Sequence, residues 1–150
     1  MIRRIISGGQ TGVDRAALDA ALELKVEFGG WCPKDRRAED GIIDRKYPLK
    51  ETPKRDYAQR TEWNVRDSDA TLILCHGKPQ GGTAQTIAFA KALNKPCLIL
   101  NLDLPPDLQA ARNWLSQSQI GVLNVAGPRE SQSPGIYRQA KASLLSLLQT

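Results

Sequence analysis

Three glycine-bearing segments hold the residue types best suited to gripping a ligand. They are Ser7-Gly8-Gly9-Gln10-Thr11-Gly12-Val13-Asp14-Arg15, Gln80-Gly81-Gly82-Thr83-Ala84-Gln85-Thr86 and Ala126-Gly127-Pro128-Arg129-Glu130-Ser131. Each follows an apolar run and leads into a helical pattern. Glycine lets the main chain come close to a ligand, and a helix N-terminus presents N–H donors without partners, so the chemistry on offer is anion binding. Thr11, Thr83 and Ser131 add hydroxyl donors.

The spacings depart from the common nucleotide motifs. A dinucleotide fingerprint requires Gly-x-Gly-x-x-Gly, which Gly8, Gly9 and Gly12 do not form. A Walker loop requires a lysine that none of the three segments contains. Arg15, Arg36, Arg37, Arg60 and Arg129 are candidate anion clamps, because a planar guanidinium matches phosphate or carboxylate. Asp14, one turn into a helix, also suits the positive end of the helix dipole. His76 is the only histidine. No serine sits in a Gly-x-Ser-x-Gly elbow, and no Cys/His/Asp group has metal-ligand spacing, so no catalytic or metal residue is assigned. Trp31, Trp63 and Trp114 could stack on a flat ring, Trp31 best because it borders a charged stretch.

The elements that must position these segments follow from apolar patterning. Strands are expected around Ile2, Ile5 and Ile6, at Glu27 to Trp31, Ala70 to Cys75, Pro96 to Leu100 and Gly121 to Ala126. Their continuous apolar character points to burial on both faces and therefore to a parallel sheet. Helices are expected after Gly12, from near Pro53 to about Arg66, along Thr83, Ile87, Ala90 and Leu93, after Pro105-Pro106, and from Ile136 to Leu148. Strand and helix alternate about five times. That is an α/β, doubly wound, Rossmann-like domain over residues 1–150, with a mostly parallel sheet of about five strands and helices on both faces. All three glycine segments then lie at the carboxyl edge of the sheet. The stretch from Cys32 to Thr52 is long, charged and broken by Pro33, Gly41 and Pro48, which reads as a functional or disordered loop.

Composition sets the outer limits. The chain has 150 residues, 41% hydrophobic and 25% charged, which excludes wholesale disorder, collagen and disulfide scaffolds. No apolar run approaches the roughly 18 residues of a membrane helix, and Met1 to Ser7 lack the long apolar segment and cleavage site expected of a signal peptide. A cytoplasmic protein is expected. Cys32, Cys75 and Cys97 are odd in number and widely spaced, as reduced thiols are. The net charge of +5 favours an anionic partner. Lys34 to Arg60 hold nine basic and six acidic side chains. That alternation weakens the field a nucleic acid would need.

Together these segments make the chain resemble the family of molybdenum carrier proteins, proposed to hold molybdenum cofactor. The resemblance rests on Ser7 to Leu18, Gly30-Trp-Cys-Pro33 with Arg36 to Gly41, and Arg60-Thr-Glu62 with Asn64-Val65. It continues through Ser68 to Leu72, Gly81-Gly-Thr83, Leu123 to Ser131 and Pro134-Gly-Ile-Tyr137. It implies a Rossmann-like fold in a wider group that includes lysine-decarboxylase-like phosphoribohydrolases. It also implies a homo-oligomer, a tetramer, and a pterin-phosphate-dithiolene ligand on the glycine loops. Those hydrolases carry a catalytic glutamate in Gly-Gly-x-Gly-Thr-x-x-Glu, where this chain has Thr86. Without it, N-glycosidic hydrolysis lacks its acid/base group.

The resulting expectation is a binding or carrier protein for an anionic pterin-type cofactor, molybdenum cofactor or molybdate. Main-chain N–H groups at Gly8 to Gly12 and Gly81 to Thr83, with Gln10, Thr11 and Thr83, would cradle the anion. Arg15, Arg36, Arg37 and Arg129 would neutralise charge, and Asn64 and Asn124 would read polar edges of the ring. Asp14, Gly127, Glu130 and Ser131 complete the expected set, and Cys32 is a thiol that could approach the metal. A molybdoenzyme would be the acceptor. The alternative is a nucleotide enzyme related to nucleoside-monophosphate phosphoribohydrolases, with Asp14, Glu39, Asp40 or Glu130 as acid or base.

Overall fold

The computed structural model describes residues 1–149. Nine strands run β1 (Arg4–Ile6), β2 (Glu27–Gly29), β3 (Trp31–Cys32), β4 (Arg37–Ala38), β5 (Gly41–Ile42), β6 (Lys50–Glu51), β7 (Ala70–Cys75), β8 (Cys97–Asn101) and β9 (Val122–Ala126). Five helices run α1 (Val13–Leu24), α2 (Tyr57–Arg66), α3 (Gly81–Ala92), α4 (Leu108–Gln117) and α5 (Ile136–Leu148). The central sheet has five strands in the order β2-β1-β9-β7-β8, and every pairing is parallel. Helices α1, α4 and α5 pack together, and α2 packs on α3. The chain thus has the doubly wound Rossmann-like architecture that its alternation of apolar runs and helical stripes predicts.

β7 occupies the interior and is buried along its whole length, as its unbroken run Ala70-Thr-Leu-Ile-Leu-Cys75 requires. β8 carries the same Leu-Ile-Leu run but lies at the edge, and Ile99 is 43% exposed. Apolar continuity therefore identifies the strand without fixing its place in the sheet. The expected strand from Glu27 to Trp31 divides at Gly30, whose φ of +129° turns the chain out of the central sheet. β3 then pairs with β6 instead. Helix α2 begins four residues after Pro53, where the Asp56 side chain accepts from the Gln59 N–H and caps it. Helix α4 likewise starts after Pro105-Pro106, capped by Asp107.

Residues 33–52 form an ordered layer rather than a loose loop. Its organiser is Arg36, which is 6% exposed. The guanidinium donates to the carbonyls of Ile43, Asp44, Tyr47 and Leu49 at 2.8–3.1 Å. Four converging carbonyls match the multiple donors of one arginine fork. Beneath it, Leu18, Cys32, Ala38, Ile43, Tyr47 and Leu49 form a second apolar cluster, apart from the main core around Ile5, Leu72, Leu74, Leu123 and Leu144. The layer is thereby fastened over the β1–α1 turn.

Candidate functional site

The β1–α1, β7–α3 and β9–α5 turns all leave the carboxyl ends of parallel strands, and they meet there. Gly12 has φ +79°, and an added Cβ would lie 2.4 Å from the Pro128 carbonyl oxygen. The first and third glycine segments are therefore in direct contact, and Val13 N–H donates to that same carbonyl. Between the three turns and α2 lies a narrow cleft of about 70 Å³. The first turn contributes Gly8, Gln10 and Asp14, and α2 contributes Tyr57, Arg60, Thr61 and Asn64. The second contributes Gly82, Thr83, Gln85 and Thr86, while β9 and the third turn supply Asn124 to Arg129, and Gln132.

The cleft is rich in donors. The Tyr57 ring lies beside the guanidinium carbons of Arg37, Arg60 and Arg129, at 4.5, 5.1 and 5.3 Å from its centroid. One electron-rich ring thus helps three like charges tolerate each other. Arg60 is buried, donates to Gly8 O at 2.9 Å, and lies 3.8 Å from Asp14. Burial lowers the affinity of this guanidinium for its proton, with Asp14 opposing the effect. Burial pushes the Asp14 carboxyl above the usual carboxylate value, with Arg60 opposing. Asp14 is the single carboxylate of the cleft. Arg129 makes no ion pair among the described residues. Helix α3 opens with no side-chain cap, and Gly81 and Gly82 N–H groups have no protein acceptor among the described residues.

Several expected residues stand elsewhere. Gly9 packs beneath Ile43 and Leu49. Arg36 is the hub of the 33–52 layer and does not reach the cleft, and Arg37 is exposed behind Tyr57, donating to the Arg55 carbonyl. Arg15 forms a two-pronged pair with Asp40 at 2.9 and 3.0 Å. Thr11 and Ser131 both donate to Glu39, fastening the charged layer across the first and third turns. Glu130 accepts from Gly135 and Tyr137 N–H groups at 2.6 and 2.9 Å, so it caps α5. Asn64 lines the cleft, but both ends of its amide bind the Trp31 main chain. Asn124 donates to Thr71 Oγ1 at 3.1 Å. Cys32 is fully buried in the second apolar cluster, and burial raises its thiol. Trp31 packs edge-on to Trp63 and donates to Asp67.

Tyr57, Thr61, Gln85, Thr86 and Gln132 line the cleft without having been assigned from the sequence. A signal existed: Tyr57, Arg60, Thr61 and Asn64 stand at i, i+3, i+4 and i+7, a polar stripe on one face of α2. Next to the cleft, and sharing Thr83, Pro128 and Gln132 with it, is an open cavity of about 600 Å³ lined by Cys75, His76, Lys78 and Pro134. Among the described residues, no cluster of His, Cys, Asp and Glu could hold a metal ion directly, and no helix is long and apolar enough to cross a membrane.

A comparison with curated proteins finds no match. A crystal structure at 1.45 Å, of a protein from Syntrophus aciditrophicus SB named "putative molybdenum carrier protein", shares 46% identity and a TM-score of 0.93. The match covers 99% of this chain and 96% of that one. Residues 5–148 match the sequence profile described as the circularly permutated YpsA SLOG family. The chain belongs to the circularly permutated YpsA branch of the SLOG family.

Proposed function

We propose that this chain binds and carries an anionic pterin-type cofactor, molybdenum cofactor or its oxo-anion molybdate, as cargo. The observation that carries the reading is the excess of donors over acceptors in the cleft. Arg60, Arg129, Thr83 and the open end of α3 face it, against one carboxylate that is already beside Arg60. Such a lining favours negative charge. The name of the 46% identical relative supports the same cargo.

Size is consistent with a two-part ligand. A cleft of about 70 Å³ is smaller than the ~150 Å³ cavity that takes benzene, so it suits a phosphate or tetrahedral oxo-anion. The adjoining cavity of about 600 Å³ falls within the range of small-molecule sites and has room for a flat heterocycle. In this reading Arg129 and Thr83 hold the anion, Arg60 supplies positive charge from below, and Gln132 lies between the two compartments. The 33–52 layer shields the first turn. The carrier acts as a homo-oligomer, a tetramer, and delivers to a molybdoenzyme.

The second reading is hydrolysis of a nucleoside monophosphate. Asp14 is the carboxylate placed for it, since Glu39 and Asp40 lie outside the cleft and Glu130 caps α5. Native mass spectrometry of anaerobically purified protein, with metal analysis of the same sample, decides between the two. The carrier reading expects molybdenum with a pterin mass near one per chain, and the same spectrum reports the oligomer. A nucleotide mass, with release of free base from nucleoside monophosphates, would overturn it.

A further inference from the structure

Gln10 is 5% exposed and lines the cleft. Its Oε1 accepts the Thr11 N–H at 3.1 Å and the Glu39 N–H at 2.8 Å. Two main-chain donors converge on that atom, so the orientation of the amide is determined: the reverse assignment would set an NH2 against two N–H groups. Nε2 must therefore be the other end. It is buried and has no hydrogen-bond partner among the described residues. A buried donor without an acceptor is rare in a folded protein and calls for an explanation.

None of the neighbouring acceptors is bonded to Nε2 among the described residues. The Asp14 carboxylate receives Gln10's own main-chain N–H. The Asn64 amide oxygen takes the Trp31 N–H, and Gly8 O takes the Arg60 guanidinium. Gln10 is moreover gripped from outside, because the Glu39 N–H belongs to the charged layer. A glutamine fixed by two main-chain donors, with its NH2 group left over, is a preset reader of an acceptor atom.

We propose that Gln10 Nε2 is the specificity-determining donor of the cleft, selecting a ligand group that offers a bare acceptor oxygen: a phosphate monoester or a tetrahedral oxo-anion. The inference deepens the anion-carrier reading and rests on it. Gln10 tells an acceptor oxygen from a donor-bearing group, while Arg129 and Arg60 supply the positive charge that favours an anion. The Glu39 N–H holds the reader in register, so ligand binding and the seating of the charged layer are linked through one side chain.

The test titrates the full chain by calorimetry with sodium molybdate and, separately, with inorganic phosphate. Gln10→Glu retains an oxygen for the Thr11 and Glu39 N–H groups and replaces the donor with an acceptor. It is expected to weaken both anions by about 10- to 100-fold, the size of one hydrogen bond to a charged partner. A second measurement does not depend on that variant folding. In the wild type, the Gln10 side-chain NH2 resonance is expected to shift saturably with added anion. Molybdate acting alone would mark a free oxo-anion as the source, and phosphate acting as well would mark a phosphate monoester. Saturable anion binding by the wild type with an unmoved Gln10 resonance, or with equal affinity in Gln10→Glu, overturns this inference and leaves the carrier reading standing. Failure of the wild type to bind either anion overturns both.

Discussion

The β1–α1 and β7–α3 turns are alike in sequence, each pairing adjacent glycines with a threonine, and opposite in use. In the first, the N–H groups of Gln10, Thr11 and Val13 are engaged by Asp14, Gln10 and Pro128. Gly9 and Gly12 are packed under side chains and main chain. In the second, Gly81 and Gly82 are exposed, and a Cβ at either would meet nothing within 4 Å. A glycine-rich turn before a helix therefore does not announce a ligand by itself. The first turn is glycine-rich because protein presses on it, whereas in the second Gly81 has a φ of +53° and the space beside both glycines is open.

Substitutions can break this contrast. Gly12→Ala would put a methyl 2.4 Å from Pro128 O at a positive φ. Left-handed strain and overpacking together predict a loss of about 2 to 5 kcal/mol in denaturant unfolding. Arg129→Gln removes a guanidinium that has no carboxylate partner, so anion affinity should fall about 10- to 100-fold in calorimetry while the unfolding midpoint holds. Gly82→Ala should keep stability within about 1 kcal/mol. It should also cost about tenfold in anion affinity, as a methyl at the open end of α3 displaces one charge-assisted hydrogen bond. An unaltered affinity there would dissolve the contrast between the turns.

The smallest expected effect concerns the layer over the first turn. The Arg15 hydrogen bonds hold the Asp40 carboxyl below the usual carboxylate range. Because the folded value is depressed, the contribution is present above the unfolded value near 3.8 and lost as pH falls through the lower folded one. Asp40→Asn should therefore cost about 0.5 kcal/mol at pH 7, the scale of a solvent-screened pair, and progressively less as pH falls below the unfolded value, as read from unfolding curves across that range.

The class of fold was legible because each β-rich apolar run is followed by a helical stripe, and that pattern also places the three glycine turns on one edge. Sheet order was not, since Ala70–Cys75 and Pro96–Leu100 read alike although one is an interior strand and the other an edge strand. Arg36 shows a second limit. Its role depends on four carbonyls brought together by irregular chain, and no spacing rule encodes that. Its neighbour Arg37 looks equivalent in sequence and lies exposed. Tyr57 is a third case: its position at the mouth of the cleft follows from the polar stripe of α2, whose significance emerges only once that helix is set against the turns.

The most direct test of the central claim is a two-dimensional 15N–1H titration of the wild-type chain with molybdate, reading main-chain amides turn by turn. Saturable shifts are expected to be largest at the Gly81 and Gly82 main-chain amides, with the Val13 amide, which donates to the Pro128 carbonyl, moving least. Shifts concentrated at Gln10 to Val13, with Gly81 and Gly82 unmoved, would contradict that claim.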